Sequence, residues 1–256
     1  MWSRPQLKDS AKFVLRKYYW MALLVTFVGG IISNLPDSMI RINNSFADSF
    51  TDSLRFSRYT ESVDTSVVLA VLVAMLGASI ILALLSIVWQ IFLGGPLQSG
   101  MSRHFLEARE DRADFARLFF SFQKGRYLNA VKAMGWRLLF IFLWSLLLVI
   151  PGIVKAYAYR MVPFIMADNP NMDYRRALQL SMAMTFGEKG EIFLLDLSFL
   201  GWYLLGLLAC GIGVVFVVPY HYATMAELYV VLRQKAIDRH LCTPEELNQP
   251  LAGASV

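Results

Sequence analysis

Residues 192–232 form an apolar block in which the only ionisable side chains other than tyrosine and cysteine are Asp196, His221 and Glu227. As one helix this block would be roughly 60 Å long, twice the approximately 30 Å of a bilayer's hydrocarbon layer. It is too apolar for a water-facing helix and too long for one crossing, so it must fold back. Cys210-Gly211-Ile212-Gly213 is the place where a tight reversal costs least.

Residues 146–168, LLLVIPGIVKAYAYRMVPFIMAD, raise the same question with less slack. A straight helix from Arg137 to Met166 would span roughly 45 Å and carry Pro151 inside it, where a backbone hydrogen bond is lost and the ring meets the preceding turn. Charge decides between one crossing and two. With a turn at Pro151-Gly152 the chain makes six crossings and both ends are cytoplasmic. The inner side then holds Arg4, Lys8, Lys12, Arg16, Lys17, the cluster from Arg103 to Arg137, Arg175, Arg176, Lys189, Arg233, Lys235 and Arg239. Only Arg41, Arg55 and Arg58 remain outside. A single crossing would move the cations from Arg175 onward to the outside, against the positive-inside rule. The hairpin is the expected solution.

Composition agrees. The chain is 57% hydrophobic and 17% charged, well below the quarter-charged composition of soluble domains. The net charge of +5 comes from cations that border apolar runs and form no separate basic domain, so no nucleic-acid partner is expected. The expected class is an all-α polytopic transmembrane helical bundle with amphipathic interfacial helices. Its spans lie near 19–34, 67–93, 136–150, 153–167, 191–209 and 212–232. Residues 1–235 read as one integral-membrane domain and 236–256 as a cytoplasmic tail, in the cell (inner or plasma) membrane.

Several local signals fill in the bundle. Residues 1–20 read as a basic interfacial helix, with Ser3 and Gln6 at capping-box spacing and Leu7, Ala11, Val14 and Tyr18 as its apolar stripe. No small-x-small site follows the first apolar run, so it reads as an uncleaved span. Residues 34–66 read as a polar, acidic loop. Ala70, Ala74 and Ala78 make a small-residue ridge suited to close helix contact. Gly94-Gly95-Pro96 reads as a break, followed by a basic linker over 98–132 lying on the membrane surface. Within the linker, Phe115, Leu118, Phe119 and Phe122 share one helical face. Asp173 is placed to cap a short helix ending before Gly187. Gly152 precedes Met166-Ala167-Asp168 by the interval that separates Gly211 from Met225-Ala226-Glu227; a duplicated hairpin would explain this, and so would chance. Cys210 and Cys242 fall on opposite sides of this topology, so no internal disulfide is expected.

The chain resembles a bacterial integral-membrane family catalogued as domain of unknown function 975. The resemblance is carried by the opening W-x-R-x-x-L-K-x-x-A-K with YYW, by IPGIVKAYAYRMVPFIMADNP, ALQLSMAMTFG and LLDLSFLGW, and by VVPYHYATMAELY. It covers nearly everything except the acidic loop and the tail after Lys235, and implies a compact multi-span membrane protein without an established biochemical role. The IPG…AL-x-x-S arrangement is also similar to the membrane portion of some glycerophosphodiester phosphodiesterases. No hydrolase domain is present here, so that activity is not implied.

Three ionisable residues fall at middle depth in the expected spans. Arg160 lies roughly 10 Å from the outer end of its helix, and an ionised side chain there is costly unless paired or wetted. Asp196 and His221 lie at similar depth. The expected cluster is an Arg160–Asp196 ion pair, with His221 and Tyr157 or Tyr159 as hydrogen-bond partners. Two readings stand: a substrate or proton route, or a buried pair that fixes helix register. Lys12, Arg16, Arg175 and Arg176 are candidate contacts to lipid phosphate. No phosphate-cradling loop, zinc-protease motif or serine-nucleophile motif occurs, and no metal, cofactor or catalytic residue is expected. The expected partners are the lipid bilayer and either another membrane protein or a second copy of the chain. A non-catalytic membrane component is the first reading of function; a small transporter or exporter using the Arg/Asp/His cluster is the alternative.

Overall fold

The computed structural model describes residues 2–57, 65–208 and 211–247. Cys210, Arg58, Glu61, Asp64, the side chain of Arg55 and the end of the tail lie outside them. The described chain is all-α. Its helices are α1 (Arg4–Ser57), α2 (Thr65–Trp89), α3 (Gly95–Ala108), α4 (Tyr127–Leu147), α5 (Val149–Ala158), α6 (Val162–Asp168), α7 (Tyr174–Met184), α8 (Lys189–Leu208), α9 (Ile212–Asp238) and α10 (Pro244–Leu247). Six helical stretches are long and apolar enough to cross a membrane, so this is a membrane-embedded helical bundle. Two compact units are formed, Met1–Gly29 with Gly95–Val256, and Gly30–Gly94.

The second unit is a helical hairpin. Trp89 Nε1 donates to the Ile32 carbonyl (2.8 Å), Gln90 Nε2 to the Ser33 carbonyl (3.1 Å), Ser86 to Asp37 (3.3 Å) and Asn43 to Ser79 (2.8 Å). Residues 32 and 33 meet 89 and 90, residue 37 meets 86 and residue 43 meets 79, the signature of antiparallel helices. The sequence reading of 34–66 as a loop is therefore corrected: α1 stays helical to Ser57. The polar residues there do not break it because Asn34 and Ser38 bond back to the carbonyls four residues earlier, and Leu35, Met39, Ile42 and Phe46 continue a helical apolar stripe. Nor does Gly94-Gly95-Pro96 stop the next helix. Residues Gln90–Gly94 form a π-helical turn that leads directly into α3, and Gly94 lacks a side chain where Gln90 folds over it; a Cβ there would meet Gln90 Oε1 at 2.1 Å.

In the first unit α3 is the central rod, and this overturns the expectation of a surface linker. Nearly every residue of Gly95–Ala108 is buried. Glycine and serine let neighbours come close: a Cβ on Gly100 would lie 1.9 Å from the Leu118 carbonyl oxygen. The charges that suggested exposure are paired internally. Glu107 is held by Arg103 and Arg117, both at 2.7 Å. Arg103 also donates to the Ala167 carbonyl (2.8 Å) in the last turn of α6, where a cation complements the helix dipole. Residues Phe115–Phe122 form a 3₁₀ helix capped by Asp114. Leu118, Phe120 and Ser121 are buried, while the rings of Phe115, Phe119, Phe122 and Tyr127 run in edge, tilted and stacked contact.

The two expected hairpins are present. Gly152 packs on Ser145, Lys155 lies over the Trp144 ring at 5.0 Å, and Tyr159 meets Phe140 at 6.2 Å; these three pairs describe α4 and α5 running antiparallel. The reversal is at Leu148, which is extended, three residues before the proline. Pro151 sits in the first turn of α5, where its missing N–H has no helical acceptor to lose. In the other hairpin, Gly206 touches Gly213 and Val214, Phe199 meets Tyr220, and Asp196 meets His221. Gly211 takes the left-handed conformation, φ +77°, just before α9.

Pro163 explains one further break. A helix continuing through it would drive the ring into the carbonyl of Tyr159, and the chain instead turns at 159–161 before α6 begins. The freed Ala158 carbonyl accepts from Ser181 of α7 (2.8 Å) and from Thr185 just after it (3.3 Å), and Ser181 Oγ accepts from the Met161 N–H. Asp173 caps α7 through the Arg175 N–H, as its position suggests.

Candidate functional site

Asp196 extends from α8 into contact with three elements. Its carboxylate accepts from the Tyr157 hydroxyl of α5 at 2.9 Å and from Arg160, in the turn between α5 and α6, at 2.8 Å. His221 Nε2 of α9 lies 3.0 Å away. A carboxylate can only accept, so Nε2 carries a proton and donates to Asp196. The 3.5 Å approach of Arg160 Nη2 to the same nitrogen is then a meeting of two donors around one acceptor, not a further bond. The ion pair stays partly accessible, with side-chain exposures of 27% for Arg160 and 20% for Asp196.

Aromatic rings close the surroundings. Phe199 meets His221 edge-on at 4.9 Å, Tyr203 meets it at 6.1 Å, and the Arg160 guanidinium lies 5.4 Å from the Tyr157 ring centre. Lys8 of α1 lies 4.5 Å above the Phe199 ring and donates to the Ser198 carbonyl. Of the two tyrosines offered by the sequence, Tyr157 reaches Asp196. Tyr159 does not: it is buried against Phe140, with Lys155 5.8 Å from its ring.

Arg137 belongs to the same neighbourhood and is absent from the sequence-derived cluster. It sits midway along α4, donates to Gln98 Oε1 of α3 at 2.8 Å, and keeps its Nε buried without a hydrogen-bond partner. Tyr222, next to His221, is within hydrogen-bonding reach of Gln98. No carboxylate among the described residues lies within 4 Å of Arg137, and the like charge of Arg160 acts on it. The centre therefore carries two guanidiniums for one carboxylate. Its sequence signal was an arginine between Trp136 and Leu138, just inside the start of an apolar run, and it was counted with the basic cluster.

A second layer of ion pairs was also illegible. Arg109 meets Glu227 at 2.6 Å; Arg233 and the Tyr229 hydroxyl both reach Asp168, at 2.9 and 3.0 Å. Lys235 and Trp2 bond Glu188. Asp168 and Glu227, isolated in sequence, are thus internal anchors. The four candidate phosphate contacts divide. Arg176 holds Glu246 and the Leu241 carbonyl, Lys12 meets Asp9, and Arg175 bonds the Tyr174 hydroxyl. Arg16 is exposed and has no carboxylate within 4 Å among the described residues.

No curated protein and no solved structure matches the chain. A family model described as a protein of unknown function, DUF975, matches residues 6–236, nearly the whole length from the first interfacial helix to the end of the last long one, and the chain belongs to that family.

Proposed function

We propose that this protein is a non-catalytic component of the cell membrane. It crosses six times with both ends cytoplasmic and acts through contacts to lipid and to other membrane proteins. One observation carries the reading: a single carboxylate, Asp196, ties Tyr157, Arg160 and His221 from three separate elements. Three protein donors converge on that one carboxylate, which suits a register pin between two hairpins. Pinned hairpins present a fixed outer surface to lipid and partner helices.

The test is purification in a mild detergent followed by identification of retained lipids and proteins, with Asp196→Asn alongside. A bound lipid or protein that the variant releases supports the reading. Solute uptake into proteoliposomes that depends on Asp196 overturns it. Labelling of a cysteine placed at position 175 only from the exterior would overturn the topology.

Transport of a small anion is the second reading, and Arg137 favours it. A guanidinium without a carboxylate partner in a bundle interior is costly, and a bound anion would supply the missing charge. Anion-dependent thermal stabilisation that is lost in Arg137→Leu supports this second reading; stability indifferent to chloride, phosphate and acetate removes it.

A further inference from the structure

A cleft of about 820 Å³ lies between the start of α1, the end of α3 and α9. It is separate from the Asp196 centre. One wall is a face of α1 carrying Asp9, Phe13, Arg16 and Lys17; the opposite wall holds Arg109 and Asp111, with Glu227 behind. Tyr18 closes one side. Its backbone departs from helical geometry (φ −119°, ψ 20°), and its hydroxyl bonds both the backbone carbonyl and the side chain of Asp111, at 3.1 and 3.3 Å. Lys17 reaches the same carboxylate at 2.8 Å.

Two features restrict what this cleft can hold. First, its charges are balanced: Asp9, Asp111 and Glu227 against Arg16, Lys17 and Arg109. Most are already matched, Lys17 with Asp111 and Arg109 with Glu227. Arg16 is left free for an anion, and Asp9, held at the rim only by Lys12, has spare acceptor capacity for a donor cation. A purely anionic ligand would use Arg16 and leave the spare acceptor capacity of Asp9 unused. A zwitterion meets both signs favourably. Second, Phe13 lines the cleft one turn before Arg16, and Trp20 follows just beyond the kink at Tyr18; they are 78% and 75% exposed. Two large aromatics so uncovered beside a cation are the pattern of a headgroup-level belt, which places the mouth of the cleft where phospholipid headgroups lie.

We propose that this cleft binds a phosphoethanolamine group, with its phosphate on Arg16 and its primary ammonium on Asp9. The Ser10 hydroxyl beside them supplies a further donor or acceptor. A choline headgroup fits less well, because a quaternary ammonium has no N–H to give a carboxylate. The lipid source of the group rests on the membrane-component reading above; the headgroup chemistry does not.

The experiment uses the full-length protein in nanodiscs of phosphatidylethanolamine, phosphatidylcholine or phosphatidylglycerol, with retained lipid counted by native mass spectrometry after detergent exchange. A separate arm titrates soluble glycerophosphoethanolamine. Retention of phosphatidylethanolamine at about one per chain, at least fivefold over the other two, is expected. It should fall to the phosphatidylcholine level in Arg16→Gln and in Asp9→Asn. Saturable binding of glycerophosphoethanolamine without lipid retention, lost in Arg16→Gln and in Asp9→Asn, assigns the cleft to a free solute with the same group and still supports the proposal. Equal retention of all three lipids, a preference for phosphatidylglycerol, or retention unchanged in both variants overturns it. Both substitutions are at exposed positions, and matched melting curves show that each variant is folded. Failure of the headgroup preference with Asp196-dependent partner or lipid retention intact sinks this proposal alone.

Discussion

Removing Asp196 is the sharpest perturbation of the bundle. Asp196→Leu deletes the one acceptor shared by Tyr157, Arg160 and His221 and leaves the guanidinium without its counter-charge. Breaking a fully buried ion pair by deleting one partner costs about 3–5 kcal/mol, while single hydrogen bonds between membrane helices average about 0.6 kcal/mol. Here the two side chains keep exposures of 27% and 20%, so water or headgroups relieve part of the unpaired charge. The expected loss is about 2–3 kcal/mol. Arg160→Met with Asp196→Leu leaves no unpaired charge, so the double variant should be more stable than Asp196→Leu alone. The assay is SDS-induced unfolding in mixed micelles for the wild type, the two single variants and the double. Additivity of the singles to within about 0.5 kcal/mol would refute the idea that the pair acts as a unit.

Three further outcomes are expected. Gly206→Ala should destabilise by more than about 1 kcal/mol, because the new Cβ would lie 2.7 Å from the Val214 nitrogen, whereas Gly201→Ala, with nothing within 4 Å, should be neutral or slightly stabilising in the same unfolding assay. Glu107→Gln should cost about 3 kcal/mol or more, since two arginines depend on that buried carboxylate; loss of a monodisperse peak on size-exclusion chromatography is the simplest readout. The Arg176 hydrogen bond holds the Glu246 carboxyl below its ordinary value of 4.5. Its stabilisation is complete above that value and lost as pH falls through the lower folded one. Hydrogen exchange of residues 241–247 should accelerate between pH 5 and pH 3 beyond the intrinsic trend, and Glu246→Gln should remove that extra dependence.

Apolar length made the long helices legible, while helix interiors rich in polar residues hid much of the rest. Residues 192–232 and 146–168 had to fold back whatever their contacts, and Asp173 and Gly187 marked α7 through local chemistry alone. The turn itself was misplaced by three residues because Pro151 suits the first turn of a helix as well as a bend, and only packing tells the two apart. Residues 34–57 were mistaken for a loop because acids and amides usually signal one; the serine and asparagine bonds to the preceding turn are invisible in composition. GPLQSGMSRHFLEA looked like a surface linker for the reason that makes it a central rod. Its small residues admit close neighbours, and its charges find partners remote in sequence, at Arg117 and in the last turn of α6. The Asp196 cluster was visible because an isolated ion at mid-span needs a partner. Arg137 was not, because an arginine in the first half of a span reads as part of the basic border.

The pairing also changes what the positive border means. Six of its cations, Arg103, Arg109, Arg117, Arg176, Arg233 and Lys235, bind acids within the protein: Glu107 takes two, and Glu227, Glu246, Asp168 and Glu188 take one each. Charges matched in this way add little pull toward lipid phosphate, since their field is largely cancelled within a few ångströms. They act as glue between elements remote in sequence. On the headgroup proposal above, lipid contact falls to the cations left over, and among the four candidates offered by the sequence the clearest is Arg16. It lies on the rim of the α1 cleft with no carboxylate within 4 Å among the described residues, so a count of basic residues says less about lipid contact here than which of them are already paired.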